Sequence, residues 1–96
     1  MHTIETGIAT GEASRYLQQL CKHWSHKFEV AFTPTEGRVP FPNGAVANMR
    51  ATPEALSLRV AAESPEEAAR MAEVVINHLQ RFAFRNPLVV PGWRTA

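Results

Sequence analysis

The sequence has little cysteine, little excess charge and no long hydrophobic run, and each shortage excludes a class of protein. Cys21 is the only cysteine in 96 residues, so no intrachain disulfide can form. Ten Lys and Arg against nine Asp and Glu leave a net charge of +1, which gives no general attraction for nucleic acid. No apolar stretch approaches the roughly 20 residues that cross a bilayer, and the first residues lack the pattern of a signal peptide. We therefore expect one soluble, cytoplasmic domain that spans residues 1–96.

Glycine is also scarce, and its five residues are scattered along the chain. The sequence therefore lacks the glycine-rich loop that binds phosphate groups in nucleotide-binding proteins. Hydrophobic residues make up 45% of the chain, which is normal for a globular domain and too many for a disordered one. A chain of this length buries enough surface to fold without disulfides.

Residues 11–26 have the period of an amphipathic helix. Thr10 lies where it can cap the start of that helix. Apolar residues recur every three to four positions and are expected to face a sheet. These residues are Ala13, Leu17, Leu20 and Trp24.

A second helix is predicted from Ser64 to about Phe84. Ser64 is the predicted N-cap, Pro65 occupies the first helical position, and Glu67 completes a capping box. Asn86-Pro87 ends the helix.

Alternation of apolar and polar residues predicts five strands. These lie at residues 3–9, 28–32, 38–41, 45–51 and 56–61. Asn43-Gly44 predicts a hairpin turn, and Pro34 to Gly37 predicts a turn in which glycine supplies a positive φ. The tail 88–93 is expected to form a short strand or a flap over the core.

The predicted element order is β-α-β-β-β-β-α, which indicates an α+β fold. One antiparallel sheet would carry both helices on one face, in a two-layer sandwich. A TATA-binding-protein-like arrangement has this element order. A ferredoxin-like sheet is the alternative if the weak third strand does not form.

Four residues, Cys21, His23, His26 and His78, are candidate metal ligands, but one ion cannot bind them all. Cys21 and His23 point about 160° apart on a helix that turns ~100° per residue. His23 and His26 point about 60° apart and could share an ion, with His78 as a third ligand. Zinc motifs are normally denser, so histidines that pack and form hydrogen bonds are the simpler interpretation.

Both predicted helices carry basic residues, and those of the second are grouped at its C-terminal end. The first helix offers Arg15, Lys22, His26 and Lys27, and the second offers His78, Arg81 and Arg85. If the helices lie side by side, these residues line one groove, in which forked Arg side chains suit a carboxylate or phosphate. The alternative is a solvated face, where the helix dipole favours basic residues near the C-terminal end.

The chain resembles the bacterial family called domain of unknown function 2218. The resemblance covers nearly the whole chain. It rests on Ala13 to Leu17, Leu20 to Trp24 and His26-Lys27, on His78-Leu79 and Arg81 to Arg85, and more weakly on Phe41 with Gly44. Asn86 departs from the family, in which an acidic residue tends to follow the arginine.

The resemblance implies a small bacterial domain. Related domains also occur joined to siderophore-interacting, flavin-dependent ferric reductases, which suggests iron handling but gives no mechanism. The motif residues of the family include the cationic and imidazole groups identified above. These are Arg15, His23, His26, Lys27, His78, Arg81 and Arg85.

We therefore expect a binding module that uses these seven residues to hold an anionic ligand or a ferric chelate. No catalytic residue, metal ligand or cofactor is assigned, and neither nucleic acid nor membrane is an expected partner. A structural or homodimeric role, with Trp24, Trp93 and the apolar tail as anchors, is the alternative. An enzyme with His23 or His78 as general base is a third interpretation.

Overall fold

The computed structural model describes all residues from Met1 to Ala96. The chain folds into one sheet with two helices on one of its faces. The elements are β1 (His2–Ala9), α1 (Ala13–Trp24), β2 (Ala31–Phe32), β3 (Glu36–Pro40), β4 (Val46–Ala51), β5 (Ala55–Ala62), α2 (Pro65–Phe82) and β6 (Arg94–Thr95). The six strands form one antiparallel sheet in the order β2-β3-β4-β5-β1-β6. The predicted α+β, two-layer arrangement is confirmed, with β6 as an added edge strand.

The alternation of side chains in β5 shows how the sheet divides into two faces. Leu56, Leu58 and Val60 are buried, whereas Ser57 and Arg59 are exposed. The helices cover the buried face, with α1 over β3 and β4 and α2 over β5 and β1. The other face is open to solvent, as is common in antiparallel sheets.

Helix α1 is shorter than predicted at both ends. Its predicted apolar stripe is buried, and Tyr16 and Cys21 are buried beside it. Thr10 does not cap the helix directly, because its hydroxyl accepts a hydrogen bond from the amide of Glu12, at 3.1 Å, before the helix begins. Neither α1 nor α2 is long and apolar enough to span a membrane.

The predicted strand 28–32 was wrong over most of its length. Only Ala31–Phe32 pairs with the sheet. The amide of Phe28 donates to the carbonyl of Trp24 at 2.9 Å, and the amide of Val30 donates to the carbonyl of Phe28 at 2.9 Å. These bonds hold the backbone in the turn that ends α1, so it is not free to join the sheet. Phe28 and Val30 still pack against the core.

Gly37 has a different role from the predicted one. It lies in β3 and has a negative φ. The only positive φ in the chain, 89°, belongs to Gly44 of the predicted hairpin turn. A Cβ on Gly37 would lie 2.7 Å from Sγ of Cys21. Glycine is therefore needed at this position so that α1 can approach the sheet.

Helix α2 begins as predicted, with the Ser64 hydroxyl accepting a hydrogen bond from the Glu67 amide at 3.1 Å. The second half of the predicted capping box was wrong, since the Glu67 carboxylate pairs with Arg70. In the last turn of α2, the side chain of Gln80 donates to the carbonyl of Leu88 at 2.8 Å and accepts from its amide at 3.1 Å. This clamp directs the tail towards the edge of β1, where β6 pairs.

Candidate functional site

The C-terminal end of α1 meets the second half of α2 through a group of imidazole and aromatic rings that pack at an angle to one another. The His78 ring centroid lies 5.2 Å from that of His23 and 5.1 Å from that of Trp24. Trp24 is buried and meets the edge of Phe41, with centroids 5.4 Å apart and planes at 82°. His23 also lies 6.2 Å from the Phe82 ring. The core aromatic residues thus fix the position of two imidazoles at the surface.

The orientation of His78 follows from one hydrogen bond. Its Nδ1 lies 2.7 Å from the carbonyl oxygen of Val74, one turn earlier in α2. A carbonyl oxygen can only accept, so Nδ1 must carry the hydrogen. The neutral ring therefore keeps its lone pair on Nε2, which is left to accept a proton or contact a ligand.

Positive charge accumulates around His23. Burial against neighbouring groups lowers the pKa of His23, and repulsion from His78, Lys27, Arg81 and His26 lowers it further. We call these five residues the helix-end cluster. The ion pairs of the protein, which join Arg15, Arg50, Arg59, Arg70 and Arg94 to glutamates, include none of its members. The helix-end cluster thus holds cationic groups that no carboxylate of the chain neutralises.

The two other predicted ligand-binding residues are placed differently. Arg15 precedes His23 by eight positions, about 12 Å along the axis of α1. Its Nε pairs with Oε2 of Glu12 at 2.9 Å, and its guanidinium lies 5.2 Å from the Tyr16 ring. Arg85 follows α2, with its guanidinium 5.5 Å from the ring of Phe84. The structure therefore brings five of the seven predicted residues together and holds Arg15 apart.

The candidate metal ligands do not form a metal-binding group. No three His, Cys, Asp or Glu side chains lie close enough together to hold an ion. Cys21 is buried beneath α1 against Gly37, and burial raises the pKa of its thiol to about 11. A metal ion at the helix-end cluster would need donor atoms supplied by its own ligand.

The tryptophans are also poor anchors for an interface. Trp24 is only 3% exposed, so it belongs to the core and is not available to a second chain. Trp93 is half-buried against the core. Among large apolar side chains near the C-terminal end, Phe84 and Val89 are the exposed ones.

Sequence reasoning missed the open face of the sheet. A depression of about 850 Å³ lies there, lined in part by Arg38, Arg50, Arg59 and Arg94. The signal was present, because polar residues alternate with the buried ones along β3, β4 and β5. Only the cross-strand register shows that the arginines face the same region.

Comparison with known proteins identifies the family of the chain. Residues 5–94 match the family model described as "Uncharacterized protein conserved in bacteria (DUF2218)". The NMR structure of PA4090 from Pseudomonas aeruginosa is similar, with 34% sequence identity and a TM-score of 0.81, over 98% of this chain and 96% of that one. No curated protein matches the chain. The chain belongs to the bacterial family DUF2218, whose function is unknown, as its two helix motifs indicated.

Proposed function

We propose that the chain is a binding module that holds a small anionic molecule at the helix-end cluster. One observation carries the proposal: both helices bring cationic or imidazole groups to one place, and no carboxylate of the chain pairs with them. Packing of α1 on α2 requires apolar groups such as Leu20 and Leu79, and does not by itself require this concentration of charge.

The groups at the cluster suit a ligand with carboxylate or phosphate groups. The planar guanidinium of Arg81 can donate two parallel hydrogen bonds to such a group, and Lys27 adds a second positive charge. The rings of His23 and His78 donate through N–H groups when they are protonated. A ferric chelate whose organic ligand carries carboxylates belongs to this class, because the iron would arrive with its own donor atoms.

Binding at this site is expected to strengthen as the pH falls. Burial lowers the pKa of His23, and repulsion from the groups that face it, His78 and Arg81 from α2 and His26 and Lys27 after α1, lowers it further. A bound anion offsets that repulsion, so ligand binding and protonation of His23 favour each other. Affinity should therefore rise as the pH falls through the His23 titration range.

An NMR titration tests the proposal. Inorganic pyrophosphate, citrate and ferric citrate are added separately to the ¹⁵N-labelled protein. We expect amide shifts around His23 and His78, and at least tenfold weaker binding in Arg81→Ala. The matched control is Arg70→Ala, an exposed arginine of the same helix that pairs with Glu67, and it should bind like the unmodified protein. Equal affinity of the Arg81 and control variants would overturn the proposal.

A further inference from the structure

The open face of the sheet carries an excess of positive charge, and none of the residues that supply it belongs to the helix-end cluster. Four arginines and two glutamates line the depression, so its lining has two more positive charges than negative ones. That surplus exceeds the net charge of the whole chain, which is +1. All of its cationic side chains are arginine and none is lysine. Protein interfaces are enriched in arginine and depleted in lysine.

The strand register places three of the arginines in one line across the sheet. The paired positions run from β3 through β4, β5 and β1 to β6. We call this line the arginine row, and its members are Arg38, Asn48, Arg59, Glu5 and Arg94. Neighbouring strands lie about 4.8 Å apart, so arginines on every second strand recur at about 9.6 Å.

The guanidinium groups of the row keep free hydrogen-bond donors. Glu5 divides its carboxylate between two of them, with Oε1 2.9 Å from Arg59 and Oε2 2.9 Å from Arg94. Each of these guanidinium groups has five N–H donors, so most remain available. Arg38 has no ion-pair partner in the chain. The side chains of Arg59 and Arg94 are 57% and 69% exposed, respectively, which leaves them accessible to a partner.

We propose that the open face docks an acidic α-helix of a partner protein, lying across the strands along the arginine row. Residues i and i+7 of an α-helix lie on one side and about 10.5 Å apart, close to the ~9.6 Å spacing of the arginines. Carboxylates at this interval would meet Arg38, Arg59 and Arg94 in turn. The long arginine side chains hold the helix above the sheet, so it need not align with the strands.

Other occupants fit the face less well. The row contains no aromatic side chain on which the bases of a single-stranded nucleic acid could stack. A second copy of the chain that packed through the same face would present the same positive surplus and be repelled. A small molecule would be poorly enclosed, because the depression is an open sheet surface, whereas small-molecule sites bury most of their ligand.

A designed peptide provides the test. The probe is an alanine-based helix of about 21 residues, with glutamates at positions i, i+7 and i+14. A composition-matched peptide has the same glutamates moved to different sides of the helix. We expect the first peptide to bind with salt-sensitive affinity, to shift the amide signals of Asn48 and Ser57, and to bind at least tenfold more tightly than the second.

Two charge reversals complete the experiment. Arg38→Glu should weaken peptide binding at least tenfold, and it should fold normally because Arg38 has no partner in the chain. Lys22→Glu makes the same change of charge at an exposed position of α1, in the other layer of the fold, and should leave peptide binding unchanged. Equal binding of the two peptides, or of the two variants, would overturn the proposal. So would citrate-induced shifts of Asn48 without any response to the peptide. Peptide binding that persists in Arg81→Ala supports the proposal and separates this surface from the helix-end cluster.

Discussion

At the scale of single residues, the contact of Gly37 with Cys21 sets how closely α1 approaches the sheet. Cys21 is fully buried, and its sulfur occupies the space where any other residue at position 37 would place its Cβ. Such contacts resist change because protein interiors are densely packed. The single cysteine is thus a packing residue, and its raised pKa and burial make it an unreactive thiol.

Gly37→Ala should destabilise the fold. The new Cβ would lie 2.7 Å from Sγ of Cys21, and overpacking of this kind costs about 1–3 kcal/mol of unfolding free energy. Urea denaturation measures the change. Gly7→Ala is the matched control in a strand, because its Cβ would meet nothing within 4 Å. If the two variants are equally stable, the contact does not limit the approach of the helix.

Arg81→Ala should raise the pKa of His23 in the free protein. Repulsion from Arg81 contributes to holding that pKa below its usual value of 6.5, so its loss favours the protonated ring. NMR titration of the ring protons measures this directly, with Arg70→Ala as the control. A pKa that is the same in Arg81→Ala and in the unmodified protein would show that the two side chains are not close in solution.

The same shift has a consequence for stability. Between the folded pKa of His23 and 6.5, the unfolded chain binds more protons than the folded one. The contribution of His23 to stability therefore increases as the pH rises through this window. Denaturation at several pH values should show a smaller increase in Arg81→Ala than in the unmodified protein.

At the scale of elements, the sequence predicted what local periodicity determines. The helix stripes, the Ser64 cap and the Asn43-Gly44 hairpin are confirmed because each depends on residues close together in the chain. The strand expected from residue 28 does not form over most of its length, because its backbone amides bond within the turn after α1. The alternation of apolar side chains in this segment is nevertheless genuine. Periodicity shows which side chains face the core, and it does not show where backbone hydrogen bonds go.

The candidate site was predicted only in part for a related reason. The chemistry of His23, His78 and Arg81 can be read from the sequence. Their convergence depends on how the two helices meet. Arg15 lies about 12 Å from His23 along α1, so it does not share their position even though it is on the same helix. The arginine row depends entirely on cross-strand register, which pairs residues as distant in sequence as Glu5 and Arg94.

Ser64→Ala should lower the unfolding free energy by about 1 kcal/mol, because the Glu67 amide loses its side-chain acceptor. Ser64→Asp keeps an acceptor at the same position and should be nearly as stable as the unmodified protein. Thermal and urea denaturation compare the three proteins. Equal stability of Ser64→Ala and Ser64→Asp would mean that the cap contributes nothing measurable.

Gln80→Ala should release the tail without unfolding the core. The variant loses both hydrogen bonds to Leu88, so the side chains of α2 hold the segment that leads to β6 less firmly. Hydrogen exchange should become faster at the amides of Leu88 and Ala96, while amides in β5 keep their protection. Gln18→Ala is the control, since Gln18 donates only to Ser14 of its own helix. Unchanged exchange at Leu88 would contradict the clamp.

At the scale of the whole molecule, the two layers present two different positive surfaces. The helix layer carries the helix-end cluster at the meeting of α1 and α2, where histidines make the charge dependent on pH. The sheet layer carries arginines, whose charge does not change with pH. The core between them, formed by the buried faces of both layers, holds the surfaces apart. A mutation at one surface can therefore alter ligand binding there without changing the other surface.

The most direct test of the binding role is the pKa of the His23 ring, measured by NMR with and without saturating inorganic pyrophosphate. If the anion binds at the helix-end cluster, it offsets the repulsion from Arg81 and Lys27, and the pKa of His23 should rise on binding. The rise should be smaller in Arg81→Ala and unchanged in Arg38→Glu. A His23 pKa that does not move while pyrophosphate binds would place the anion elsewhere and contradict the proposed function.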